Sequence, residues 1–108
     1  MSEEKPVRIP ENLEDCFSVL SEVMTGKTLE DFKMADEEDL IRYHFSLGMW
    51  IRNNFGLWTG SHLAQFFIDL GIFDADEMSG VIILSFHRMI NDKEIRLKEQ
   101  LKEHHDYL

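Results

Sequence analysis

Residues 74–92 read DADEMSGVIILSFHRMIND, and the fold class turns on how they are taken. The run Val81-Ile82-Ile83-Leu84 is β-branched and apolar enough for a buried strand. Yet Met78, Val81, Ile82, Ser85, Phe86, Met89 and Ile90 recur at the spacing of one helical face. A strand also needs a partner, and no second strand segment stands out elsewhere in the chain. Asp74 and Glu77 have the spacing of a capping box, with Asp in place of Ser or Thr. The segment therefore reads as a helix, and the fold as all-α.

Asn12 is a good N-cap, with Glu14 and Asp15 in a first turn and Leu13, Cys16, Phe17, Leu20, Val23 and Met24 on one face. Gly26 sits where glycine ends a helix. Thr28 with Asp31 suggests a short capped helix. A long helix is expected from Glu37 to about Asn53, with Leu40, Tyr43, His44, Leu47, Trp50, Ile51 and Asn54 on one side. Gly48 inside it suggests a close helix–helix approach. Residues 53–60 read as a loop that folds back on the core. Ser61 caps a helix running to Leu70, with Leu63, Phe66, Phe67 and Leu70 inward, and Gly71 ends it. The expectation is one compact domain over residues 1–108, built of five or six helices. Residues 1–11 form a flexible lead-in around Pro6 and Pro10. Residues 94–108, with Leu97, Leu101 and Leu108 on a thin seam, form a loosely docked helix or an arm.

Composition narrows the function. The chain has 108 residues, 11 Lys or Arg against 21 Asp or Glu, and a formal net charge of −10. That balance argues against direct nucleic-acid binding and against an anionic membrane surface. No apolar run approaches the ~20 residues that cross a bilayer. The first six residues lack the apolar core of a signal peptide, and Cys16 is the single cysteine. Both point to a cytoplasmic protein. The acidity is lopsided: residues 1–40 hold four basic and twelve acidic side chains.

Two groups of residues are candidates for function. Asp36, Glu37, Glu38 and Asp39 open the long helix, where acids suit the positive end of the helix dipole. They equally suit docking to a basic partner. Arg52, Asn53 and Asn54, with His44 and Trp58 nearby, are directional hydrogen-bonding and interface-prone residues. They read either as an internal network tying loop 53–60 to the helix ends or as a site for a small molecule or peptide. His44 on the apolar stripe reads as a core-edge histidine, and His87 as a residue at the edge of its helix. Cys16 reads as an inert buried thiol. No nucleophile motif, phosphate-cradling loop or metal-ligand spacing is present, so no catalytic residue, metal or cofactor is expected.

The stretch DLIRYHFSLGMWIRNNFGLW at residues 39–58 resembles the signature of a bacterial family of small helical domains of unknown function, H-x-x-L-G-x-x-I-R-N-N-x-x-L-W. Residues 76–84, DEMSGVIIL, are similar to the block that follows it in that family. The resemblance covers roughly residues 36–90 and implies a bacterial, cytoplasmic, mostly helical domain. It marks His44, Arg52, Asn53, Asn54 and Trp58 as matched positions and leaves the acidic first third outside.

The function expected is therefore a non-enzymatic, acidic protein-binding domain, such as an immunity protein that neutralises a basic, nuclease-type bacterial toxin. One alternative is a small ligand-binding or enzymatic domain using His44, Arg52 and Asn54. A second is a helical adaptor or homo-oligomeric module. The sequence leaves the oligomeric state open.

Overall fold

The computed structural model describes the backbone of residues 7–106, with side chains described through Lys102. The chain order is α1 (Leu13–Val23), α2 (Gly26–Met34), a helical segment from Glu37 to Asn54 whose last part is α3 (Met49–Asn54), α4 (His62–Asp69), α5 (Ala75–Ile90) and α6 (Leu97–Asp106). No strand occurs among the described residues.

The decisive stretch is α5, and it is the central helix. It touches α1, α2, the 37–54 segment, α4 and α6. Met78, Ser79, Val81, Ile82, Ile83, Ser85, Phe86 and His87 are all buried, which is most of its circumference. A helix surrounded by others is apolar all round, which is why its middle looks like a buried strand. Asp74 caps it, accepting from the Glu77 N–H at 3.3 Å. Phe86 lies 6.1 Å from Phe17 of α1 and 5.9 Å from Phe32 of α2, ring centre to ring centre. Phe32 in turn meets Tyr43 edge-on at 5.0 Å. Helices α1, α2 and α5 and the 37–54 segment thus converge on one aromatic cluster.

Several local expectations need correction. In α1, Asn12 caps as expected, accepting from the Asp15 N–H at 2.9 Å. However, Val19 is buried and Val23 is exposed. Val23 ends the helix, and Met24, already extended, takes the buried place instead. Gly26 does not terminate α1. With φ +60° it opens α2, after the two-residue link Met24-Thr25. Thr28 lies inside α2 and caps nothing. His87 is not at an edge. Its Nε2 lies 2.8 Å from the Ala35 carbonyl at the end of α2, and its ring meets Phe32 edge-on. In loop 53–60, Phe55 and Leu57 are buried, so it does fold back on the core.

The long helix is the largest difference. It is helical throughout from Glu37 to Asn54, but in three pitches: a 3₁₀ stretch Glu37–Tyr43, a π turn His44–Gly48, then α3. The tighter 3₁₀ stretch gains phase on an α-helix and the wider π turn loses it, so the two partly cancel and spacing alone reads the whole as α. Leu40 and Ile51 are buried, Tyr43, His44, Leu47 and Trp50 half-buried, and Asn54 exposed. The segment runs antiparallel to α5, with Arg88 bonded to Glu37 at one end and Arg52 bonded to Ser79 at the other.

At the C-terminal end, Gln100 of α6 is buried and donates to Ser85 Oγ at 3.1 Å and to the Ile95 carbonyl at 2.9 Å. This polar anchor is not visible in the thin seam of Leu97 and Leu101, both half-buried. Leu108 and residues 1–6 of the expected lead-in lie outside the described residues.

Arg8 forks onto Asp15 with two bonds of 2.7 Å, and the Glu11 N–H donates to the same carboxylate. The Arg8 bonds, then the Glu11 amide, lower the Asp15 pKa to about 2. A depressed folded-state pKa stabilises the fold above the unfolded value near 3.9, and that contribution is lost as pH falls toward about 2. An NMR titration should find the Asp15 carboxyl midpoint near 2 in the native chain and shifted up toward the ordinary value in Arg8→Ala.

Candidate functional site

Arg52 organises the expected polar cluster. Its side chain is only 4% exposed. Nη1 donates to Ser79 Oγ at 2.9 Å and Nη2 to the His44 carbonyl at 3.3 Å. Nε lies 3.3 Å from Asp76 Oδ1, close enough for an ion pair but not aligned for a hydrogen bond. Ser79 Oγ passes the chain on by donating to the Asp76 carbonyl at 2.9 Å. The guanidinium therefore joins the π turn, α3 and the first turns of α5. Burying it is tolerable because three partners face it, one of them charged.

Gly48 makes the room. A methyl group at its Cα would stand 2.9 Å from Arg52 Nη1 and 3.6 Å from Ile83 of α5. The expected close approach is present, but the group that fills it is the arginine as much as the neighbouring helix. Nη1 cannot swing away cheaply, since it is buried and held by Ser79.

The remaining cluster residues are bonded locally. Trp58 Nε1 donates to Asn53 Oδ1 at 3.0 Å, and Arg52 Cζ lies 6.0 Å from the Trp58 ring centre, at the outer limit of a cation–π contact. Asn54 Nδ2 donates to the Trp50 carbonyl at 2.9 Å. His44 contributes its backbone carbonyl rather than its ring. The ring is half-buried and packs edge-on against Phe45 at 4.9 Å. His44, Arg52, Asn53, Asn54 and Trp58 are thus brought together, chiefly through bonds within the chain. Spacing missed Ser79 and Asp76, because pairing across the two blocks depends on how α5 lies against the segment.

The acidic run divides. Glu37 accepts from Arg88 Nε at 3.0 Å and Nη2 at 3.1 Å, a two-pronged pair that lowers its carboxyl pKa. Asp36, Glu38 and Asp39 are exposed, and among the described residues no cation lies within 4.0 Å of them. Asp36 precedes the 3₁₀ stretch without a side-chain capping bond.

A family profile matches residues 9–90, from the approach to α1 through α5. The chain belongs to the family described as Domain of unknown function (DUF6794). The DUF6794 match begins far upstream of residue 36, so the acidic first third lies largely inside the family domain rather than outside it. Both blocks joined by Arg52 also fall within it. Neither the curated proteins nor the solved structures compared with the chain include a match.

Elsewhere, Cys16 is buried, and desolvation pushes its thiol pKa far up, which disfavours thiolate chemistry. Among the described residues no three His, Cys, Asp or Glu side chains are grouped to hold a metal. No described helix is long and apolar enough to cross a membrane.

Two glycine substitutions should act with opposite signs. Gly48→Ala crowds the held guanidinium and should cost about 1–3 kcal/mol, despite alanine's better helix propensity. Gly80→Ala meets open space in α5 and should stabilise by about 0.5–1 kcal/mol. Arg52→Ala should cost roughly 2–3 kcal/mol through lost bonds and a cavity. Urea unfolding of the three variants measures all of these.

Proposed function

We propose that this DUF6794 domain is a non-enzymatic binding protein for a basic protein partner, acting in the bacterial cytoplasm. In its sharper form it is an immunity protein that neutralises a nuclease-type toxin. The observation that carries the reading is the division of the acidic run. Glu37 has a structural partner, whereas Asp36, Glu38 and Asp39 face solvent with no cation within 4.0 Å among the described residues. Such a ridge creates a local negative field that steers a cationic surface and favours its docking. Nuclease clefts are basic because they hold phosphates, so they match this field. Arg52 and Asn54 already have bonds within the chain, which favours this reading over a ligand-binding or enzymatic domain using them with His44.

Co-expression with the products of neighbouring genes tests this reading. A basic protein should co-purify, dissociate as salt rises, and lose its toxicity when bound. The triple variant Asp36→Lys, Glu38→Lys, Asp39→Lys, with Glu37 intact, should fold normally by circular dichroism and lose most of the affinity. Unchanged affinity in that variant would sink the acidic-docking idea.

A further inference from the structure

Between the 37–54 segment and α5 lies an open groove of about 230 Å³, lined by Leu40, Ile41, His44, Gly80, Ile83 and Leu84, with Glu37 and Glu38 at its rim. We infer that this groove receives the apolar face of a basic amphipathic helix from a partner protein. The inference rests on the binding role proposed above and names the surface and the chemistry of its occupant.

Three observations converge. First, the lip is apolar and solvent-facing: Ile41 is 75% exposed, and Phe45, packed against the lining residue His44, is 78% exposed. Ile41, Phe45 and Met49 follow one another at four-residue intervals, and all three are exposed. A run of exposed apolar side chains beside an apolar groove suits an interaction site. Second, Gly80 is exposed in the middle of α5, and a methyl group there would meet nothing within 4 Å. No contact among the described residues requires the glycine, and its missing side chain keeps the groove open. Apolar cavities of about 150 Å³ accept a benzene-sized group, so this groove has room for a bulky apolar side chain. Third, the charge selects the occupant. The rim carries Glu37 and Glu38, with Asp36 and Asp39 beside them and no cation among the lining residues. Arg42 is the exposed cation next to Ile41, and Arg88 is engaged with Glu37. A second copy of this chain, itself at −10, would bring a further acidic molecule to this acidic rim. A helix with Leu-type anchors and Lys or Arg flanks matches both floor and rim.

Fluorescence anisotropy on the full chain tests this with two labelled synthetic peptides of identical Leu and Lys content. One places the leucines on a single helical face, and the other is scrambled. The amphipathic peptide should bind at least about tenfold more tightly. Gly80→Leu fills the groove in open space and should remove that preference without lowering the thermal midpoint. Phe45→Ser should weaken binding about tenfold, and Glu38→Gln should weaken it and flatten its salt dependence. Equal binding of both peptides, unaffected by Gly80→Leu, would overturn the groove while leaving the acidic-ridge reading standing. Failure of both peptides to bind would also overturn the groove, and the co-expression assay would then judge the ridge alone. A concentration-dependent dimer in sedimentation that disappears in Phe45→Ser would assign the surface to a second copy and likewise overturn the proposal.

Discussion

The buried guanidinium of Arg52 is the constraint from which most of the arrangement follows. A charge removed from water is strongly destabilising unless its donors find partners, so Ser79, Asp76 and the His44 carbonyl must all be in place together. Meeting that condition sets where the 37–54 segment lies on α5. It also demands a residue without a side chain at Gly48, directly beneath Nη1. The second tether, Glu37 to Arg88, holds the other end of the segment. Between two such ties the backbone passes through 3₁₀ and π geometry instead of a uniform α-helix. Departures of this kind inside a helix commonly accompany strain or a functional surface.

The same geometry positions what faces outward. With Leu40 and Ile51 turned in, Ile41, Phe45 and Met49 are turned out. With Glu37 tied to Arg88, its neighbours Glu38 and Asp39 face solvent. Acidic ridge and apolar lip therefore lie on one continuous segment, whose Glu37, Glu38, Leu40, Ile41 and His44 line one groove with Gly80 of α5. Binding surfaces that combine an apolar centre with a charged rim obtain affinity from the first and orientation from the second. Arg52, the most chemically suggestive residue in the sequence, serves instead as the internal clamp that holds this surface in shape.

Much of the fold was legible in the residues alone, because helix caps and apolar stripes are local physics. Asn12, Ser61 and Asp74 cap the helices they were expected to cap, and α5 is a helix despite its β-branched middle. Local rules mislead where they compete with tertiary contacts. Gly26 suits the end of one helix or the start of the next, and only the path from α1 to α2 decides between them. His87 looked peripheral because its own stripe does not include it. It is buried because α2 closes over that side of α5. Gln100 could not be seen as an anchor without knowing that Ser85 faces it.

The sequence by itself determined the all-α class, the ends of most helices, the concentration of acid in the first third and the proximity of Arg52, Asn53, Asn54 and Trp58. Each follows from spacing along one chain. Only the tertiary structure decided that Arg52 belongs to Ser79 and Asp76, that Glu37 is tied to Arg88 while Glu38 is exposed, and that Gly80 opens a groove whereas Gly48 closes around a cation. Those distinctions depend on which faces of two helices meet. Pairing between residues 27 positions apart leaves no periodic trace in the sequence.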